Sequence, residues 1–406
     1  MTLVSLADVE AARKLLADIV RVTPLEPCRP LTAMVGGPAW LKCENLQRGG
    51  SFKVRGAYVR IARLSAQERA EGVVAASAGN HAQGVAVAAS ILGAEATVFM
   101  PEGAPLPKIA ATKGYGARVE LAGSTVDEAL VAAQKFAVDT GAVLIHPFDH
   151  ADIIAGQGTV ALEIFDQCPD VKTIVTAVGG GGLISGIAAA AKALRPDVRL
   201  VGVQAAGAAA YPQSLSAGHP VRLPSCTTIA DGIAVGCPGE LTFAHVRKLV
   251  DDMVTVTDED ISRALLMLME RCKQVVEPAG AVGVAALLAG AVAVEPPVVA
   301  VLSGGNIDPL LMLRVIEHGL AAAGRYPTFT VRCPDRPGQL ARLLGQIAEH
   351  GANVIDVEHH RHDPRLRLGE VEIALSVETR GTEHSDRLVT ALRDAGYTVT
   401  FATSGA

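Results

Sequence analysis

The stretch SLADVEAARKLLADI, near the start of the chain, spaces its apolar residues for one face of a helix. Ser5 stands where it can cap that helix, and Asp8 falls in the first turn. After Pro38 the texture changes, and AWLKCE reads as a strand. From there, short apolar runs alternate with longer helical patterns. GVVAAS, ATVFM, ARVEL, KTIVTAV, RLVGVQA and VVAVLS predict buried strands. Residues 80–92, 124–139, 181–194 and 258–272 predict helices between them. Buried strands alternating with helices predict an α/β fold of two lobes, each a parallel sheet with helices on both faces. The most apolar stretch, GAVGVAALLAGAVAVEPPVVAVL, is broken by Glu295, Pro296 and Pro297. It reads as a buried helix, a loop and a buried strand, too short for a membrane span.

Near AAAGRYP, residues 321–327, the order of elements shifts. FTVRC is a strand, GQLARLLGQIAEHG a helix, NVIDVEHHRH and RLGEVEIALSVET strands, SDRLVTALRDAG a helix and TVTFA a strand. This βαββαβ order is ferredoxin-like and complete in itself. The expected division is residues 1–321 for a large domain and 328–403 for a small regulatory or assembly domain.

Composition narrows the packing. Half of the residues are hydrophobic but only 3% are aromatic, so small side chains carry the core and let helices approach strands closely. The net charge of -6 comes with no block of like charge, and neither nucleic acid nor an anionic membrane is expected as a partner. The first residues, MTLVSLADVEAARKLL, lack a basic region followed by an apolar core, so no signal peptide is expected. Seven scattered cysteines without a CxxC pair fit a reduced cytoplasm and argue against a disulfide framework or zinc site.

Four motifs carry the chemistry. VGGGGL, residues 178–183, follows an apolar strand and opens a helix. Its consecutive N–H groups at a helix N-terminus suit a phosphate. It lacks both the Lys-Ser/Thr of a Walker loop and the spacing of a dinucleotide fingerprint. SAGNHAQG, residues 77–84, also follows a strand and can hold a carboxylate. SGGN, residues 303–306, puts Ser303 at a strand end, where open α/β sheets bind ligands. Lys53 lies in GGSFKVRGA, between glycines that would let backbone approach a ligand. The three turns are expected to converge at the carboxyl edge of one sheet. With Lys53 they supply a phosphate cradle, a carboxylate cradle, a hydroxyl and an amine, the set that pyridoxal phosphate chemistry requires.

SFKVRGA, SAGNHAQGVA, TIADGIAV, VGGGGLISG, EPAGA and SGGN together resemble the threonine/serine dehydratases (threonine ammonia-lyases) of the pyridoxal phosphate β-family, fold type II. DRPGQL and GANV in the C-terminal unit resemble an ACT domain. The resemblance implies pyridoxal 5'-phosphate as cofactor and L-threonine or L-serine as substrate. It places the activity in isoleucine biosynthesis or threonine catabolism, in a cytoplasmic homodimer or homotetramer. Lys53 would form the imine with the cofactor and act as the base, Phe52 would flank the ring, and Asn80 would reach its 3′-oxygen. Gly179, Gly180, Gly181, Gly182 and Leu183 would hold the phosphate, and Ser303 would face the ring nitrogen. Ser77, Ala78, Gly79, Asn80 and His81 would take the substrate carboxylate. Gly338, Gln339, Leu340 and Asn353 would bind an amino-acid effector.

Three other readings remain. Serine racemases of this family carry a serine at the position of Ala78, and alanine moves no proton, which disfavours racemisation. A silent amino-acid sensor would not need Lys53 and Ser303. A β-replacing synthase would not carry TIADG and an ACT domain. The racemases' metal-binding carboxylate falls at Thr227, so no metal is expected there, and Asp231 reads as a turn residue. In HHRH, residues 359–362, His360 and His362 would share a strand face, but two histidines lack a third ligand.

Overall fold

The structure is a computed structural model that describes residues 2–322, 325–361 and 366–401. The chain divides into two compact units, Met1–Asp308 and Pro309–Ala406. The helix Pro309–Ala322 therefore groups with the second unit, ahead of the texture change at residues 321–327.

The first unit holds two sheets. The larger runs Leu25–Pro27, Ala39–Lys42, Val298–Val301, Thr173–Ala177, Arg199–Ala205, Asp252–Val256. Its first pair is antiparallel and the rest are parallel. The smaller sheet is parallel throughout, in the order Arg118–Leu121, Ala96–Met100, Val73–Ala76, Val143–Leu144. Every strand expected from the apolar runs is present. Three others escape the pattern: two are three residues long or shorter, and the edge strand Asp252–Val256 has only one buried residue.

The first helix, Leu6–Leu16, starts with a capping box. Ser5 Oγ accepts from the Asp8 N–H (3.3 Å) and Asp8 Oδ2 accepts from the Ser5 N–H (2.9 Å). Asn80–Leu92 and Gly182–Leu194 form as the periodicity predicts. Val126–Thr140 begins two residues later than its pattern, behind a Thr125 cap. The pattern over 258–272 resolves into a helix, Asp258–Met267, and a π-helical turn, Leu268–Cys272.

Two helices that build the site were not marked by periodicity. Ala151–Gln167 buries every residue from Ile153 to Ile164, the polar Gln157, Thr159 and Glu163 included, so its polar residues do not mark a solvent face. Lys53–Ala62 lies against it through glycines: a Cβ on Gly156 would sit 2.6 Å from the Gly56 Cα. Small residues here permit contact between backbones. Beneath this contact lies a fully hydrogen-bonded ion cluster. Arg55 grips Glu44 with Nε (2.8 Å) and a terminal nitrogen (2.8 Å). Glu163 bridges Arg55 (2.7 Å) and Lys42 (2.6 Å).

The second unit has strand order Asn353–His360, Glu370–Glu378, Thr328–Pro334, Thr398–Phe401, all antiparallel. Helices Gln339–Glu349 and Thr382–Asp394 complete the βαββαβ chain order. Its separate core includes Phe329, Leu343, Ile347, Ile373, Leu375, Leu388 and Leu392. Among the described residues, no helix is long and apolar enough to cross a membrane.

Candidate active site

One cavity of about 590 Å³ in the first unit is lined by Lys53, Phe52, the 77–81 turn, the glycine run from Gly179 through Leu183, and Ser303. The turns do converge, but from two sheets. Ser77 follows Val73–Ala76 of the smaller sheet, whereas Gly179 and Ser303 follow Thr173–Ala177 and Val298–Val301 of the larger. The site therefore lies at strand carboxyl ends from both lobes.

Lys53 opens the helix Lys53–Ala62. The glycines around it serve a purpose other than the expected approach to a ligand. Gly50 has φ +73°, and a Cβ there would lie 2.2 Å from Asn306 Oδ1. Gly56 faces Gln157 and the backbone of Ile153. Lys53 Nζ donates to the Pro147 carbonyl at 2.9 Å and stands 5.3 Å from the Phe52 ring centre. Burial pushes this amine down to about 8, against the pull of the Glu277 carboxylate. A neutral, nucleophilic amine is thereby accessible near physiological pH.

The glycine run is a cradle without side chains. A Cβ on Gly180 would meet the Phe148 ring at 2.3 Å, and one on Gly181 would meet the Tyr211 hydroxyl at 2.0 Å. Gly181 also has φ +96°. Tyr211 and Thr242 hold the loop from outside, donating to the Gly180 carbonyl at 3.2 and 2.7 Å. The helix Gly182–Leu194 begins here, and its first internal bond runs from the Ser185 N–H to the Gly181 carbonyl (2.9 Å). The N–H groups of Gly182, Leu183 and Ile184 have no acceptor in their own helix. A loop so stripped of side chains at a helix N-terminus fits a phosphate.

In the 77–81 turn, Ser77 Oγ accepts from the Gly79 N–H (3.1 Å), and Asn80 starts the helix Asn80–Leu92. His81 Nε2 contacts the Ile145 carbonyl at 2.8 Å. Burial, helped by the charge of Lys53, drives its imidazole down to about 3. It is a neutral donor to backbone. Ser303 is buried, and its carbonyl accepts from the Phe52 N–H at 3.2 Å. Gly304 pairs with Ser51. The serine turn is thus bonded to the lysine turn.

Several cavity residues had no role in the sequence reading. Glu277 accepts from Asn80 Nδ2 at 2.5 Å. Asn306 Nδ2 donates to Asn80 Oδ1 (2.8 Å) and to the Gly49 carbonyl (2.8 Å). His146, Pro147 and Phe148 form one wall. Glu277 and Asn306 lie in EPAGA and SGGN, so the motifs held a signal for them that went unassigned. Asp231 opens the short 3-10 turn Asp231–Ile233, as read, and also pairs with Lys108 at 2.5 Å. Thr227 bonds backbone to backbone with Gly207 (2.9 Å). Among the described residues, no group of three or more His, Cys, Asp or Glu is placed to hold a metal.

In the second unit, Gly338 (φ +83°) caps the helix Gln339–Glu349, and Asn353 begins its strand exposed. A groove of about 600 Å³ takes in Gln339 with Arg332, Arg342 and Tyr397. Gly338, Leu340 and Asn353 are outside its lining. His360 stands 3.2 Å from Glu358, while His362 lies outside the described residues.

Comparison with known proteins accords with this geometry. Residues 16–304 match the model of the pyridoxal-phosphate dependent enzyme family, and residues 328–397 match the ACT domain. The chain belongs to the pyridoxal-phosphate dependent enzyme family and carries an ACT domain. It is 47% identical over 397 residues to the L-threonine ammonia-lyase of Thermotoga maritima, covering 98% of this chain and 99% of that protein. Among solved structures it is similar to the processed form of threonine deaminase isoform 2 from Solanum lycopersicum, at 39% identity and TM-score 0.73, covering 77% and 86% of the two chains. It is also similar to maize serine racemase, at 37% identity and TM-score 0.74, covering 79% and 99%.

Proposed function

We propose that this chain is a pyridoxal phosphate-dependent L-threonine ammonia-lyase that forms 2-oxobutanoate and ammonia, and also deaminates L-serine to pyruvate. The observation that carries the reading is Lys53: a buried amine lowered to about 8, in one cavity with a side-chain-free anion cradle. When bound, the cofactor supplies an aldehyde for that amine and a ring that withdraws electrons from the substrate Cα.

The chain's own residues do the rest. The backbone N–H groups from Gly179 through Leu183 would hold the phosphate. Asn80 would donate to the ring's oxygen, and Phe52 would border the ring. Ser303 would offer the ring nitrogen a neutral hydroxyl, which draws electrons less strongly than an acid partner and favours prompt loss of the β-hydroxyl. The turn Ser77, Ala78, Gly79, Asn80, His81 takes the substrate carboxylate through backbone N–H groups at the start of a helix. Lys53, freed as a neutral amine, removes the proton from Cα. Ala78 offers no second base for the opposite face, so the racemase reading is not favoured.

Residues 1–321 carry this chemistry, and residues 328–403 bind an amino-acid effector near Gly338, Gln339, Leu340 and Asn353. The protein works as a cytoplasmic homodimer or homotetramer. The test is to incubate purified protein with L-threonine and follow 2-oxobutanoate and ammonia. Neither product from cofactor-loaded protein would sink the reading. Lys53→Ala should lower turnover at least a thousandfold, and turnover retained in that variant would refute the role of Lys53.

A further inference from the structure

Glu277 has no part in the scheme above, yet it is buried in the same cavity. It is the residue just before the helix Pro278–Leu288, and its N–H donates to the Gly304 carbonyl at 3.1 Å. Its Oε1 accepts from Asn80 Nδ2 at 2.5 Å. The opposite end of the Asn80 amide is also fixed, because Oδ1 accepts from Asn306 at 2.8 Å. Asn306 in turn donates to the Gly49 carbonyl, in the turn before Lys53. A chain of side chains thus runs from the lysine turn through Asn306 and Asn80 to Glu277. The backbone is cut away to admit it: a Cβ on Gly304 would lie 2.3 Å from Glu277 Oε1 and 2.9 Å from Asn80 Nδ2.

Once ionised, Glu277 only accepts, so above about pH 7 it dictates which end of Asn80 faces it. The amide nitrogen has two hydrogens, and Glu277 takes one. The other remains for a ligand. The surrounding charges come from three further elements: Asp231 in its 3-10 turn, Lys108 in the helix Leu106–Gly114, and Lys53. Burial pushes the Glu277 carboxyl up to about 7 and Asp231 adds to this, while the Asn80 bond, Lys108 and Lys53 oppose it. The coupling is mutual, since the Glu277 charge favours the protonated form of Lys53.

We infer that Glu277 is a positioning residue that aims the Asn80 donor at the cofactor ring and places a carboxylate in the cavity that holds the Lys53 amine. The inference rests on the functional reading above. Its two parts separate by substitution. Glu277→Gln keeps an acceptor for Asn80 but removes the charge. Glu277→Ala removes both.

The experiment measures how fast cofactor-free protein captures pyridoxal phosphate across pH, by absorbance, together with the dissociation constant. Only neutral Lys53 can attack the aldehyde, so capture quickens as pH rises through the lysine's titration. In Glu277→Gln that midpoint should move down by about one unit, the scale of one lost opposite charge nearby, with affinity within about threefold of wild type. In Glu277→Ala affinity should fall about tenfold, the scale of one misdirected charge-assisted hydrogen bond. A purely structural carboxyl would lower the melting temperature and weaken both variants alike without moving the midpoint, and that result overturns the proposal. So do two variants that match wild type in midpoint and affinity. If wild-type protein itself captures no pyridoxal phosphate, the functional reading fails first, and this inference with it.

Discussion

At the scale of single residues, the site depends on what is missing as much as on what is present. Gly181→Ala would have to force a methyl group into the Tyr211 hydroxyl at a backbone φ of +96°. We expect it to weaken pyridoxal phosphate binding at least tenfold and to lower stability by about 1–3 kcal/mol. Fluorescence titration and thermal unfolding would measure the two, and a variant unchanged in both would refute the cradle geometry. His81 gives a pH prediction with a definite sign. Its folded value, about 3, lies below the ordinary 6.5. Between these values the unfolded chain binds more protons, so stability falls as pH drops from 6.5 toward 3, by as much as about 4 kcal/mol. Urea unfolding of His81→Gln, which keeps a donor near Nε2 but does not titrate, should show a flatter pH dependence over that range. Equal pH dependence in both proteins would remove His81 as the cause. The motif residues were legible because each class of chemistry demands a particular residue type after a strand. The reasons for the individual glycines were not, because Phe148, Tyr211 and Asn306 meet them from far along the chain.

At the scale of elements, the sheets were legible and the buried helices only in part: Asn80–Leu92 and Gly182–Leu194 were read, and Ala151–Gln167 was not. In Ala151–Gln167 the polar Gln157, Thr159 and Glu163 are buried with the apolar residues, so polar positions do not mark a solvent face there. Besides its packing in the core, that helix joins the charge cluster of Lys42, Glu44, Arg55 and Glu163, drawn from four separate elements. Arg55 follows Lys53 by two residues in the same helix, so the cluster also anchors the lysine. Glu163→Ala would remove the carboxylate paired with Lys42 and leave Arg55 with Glu44 as its carboxylate partner. We expect a loss of about 3–5 kcal/mol in urea unfolding. A Lys42→Ala/Glu163→Ala cycle should be non-additive by about 1 kcal/mol or more. Simple additivity would mean that the pair contributes nothing specific. The cluster itself was invisible in the sequence. Nothing marks Lys42 or Glu163 as buried until the strand and helix that carry them are brought together.

At the scale of the whole molecule, the order of elements read from the sequence was enough to distinguish two units of different architecture. Each has its own core, and among the described residues the cavity with the Lys53 amine is lined by residues up to Asn306. The catalytic unit therefore contains every group the proposed chemistry uses, while the helix start capped by Gly338 lies in the other. If the second unit senses an amino acid, the two properties should separate on cutting the chain after Asp308. The shortened protein should bind pyridoxal phosphate and deaminate L-threonine with kcat/KM within about tenfold of the full chain, because none of its site residues is removed. The full chain should change its KM or kcat in the presence of at least one amino acid other than the substrate. The shortened protein should not respond to that same amino acid, since coupling between sites requires both of them. A screen of the twenty amino acids against both forms decides the matter. An effector that acts equally on both would place regulation in the catalytic unit. A full chain indifferent to all twenty would leave the second unit an assembly element.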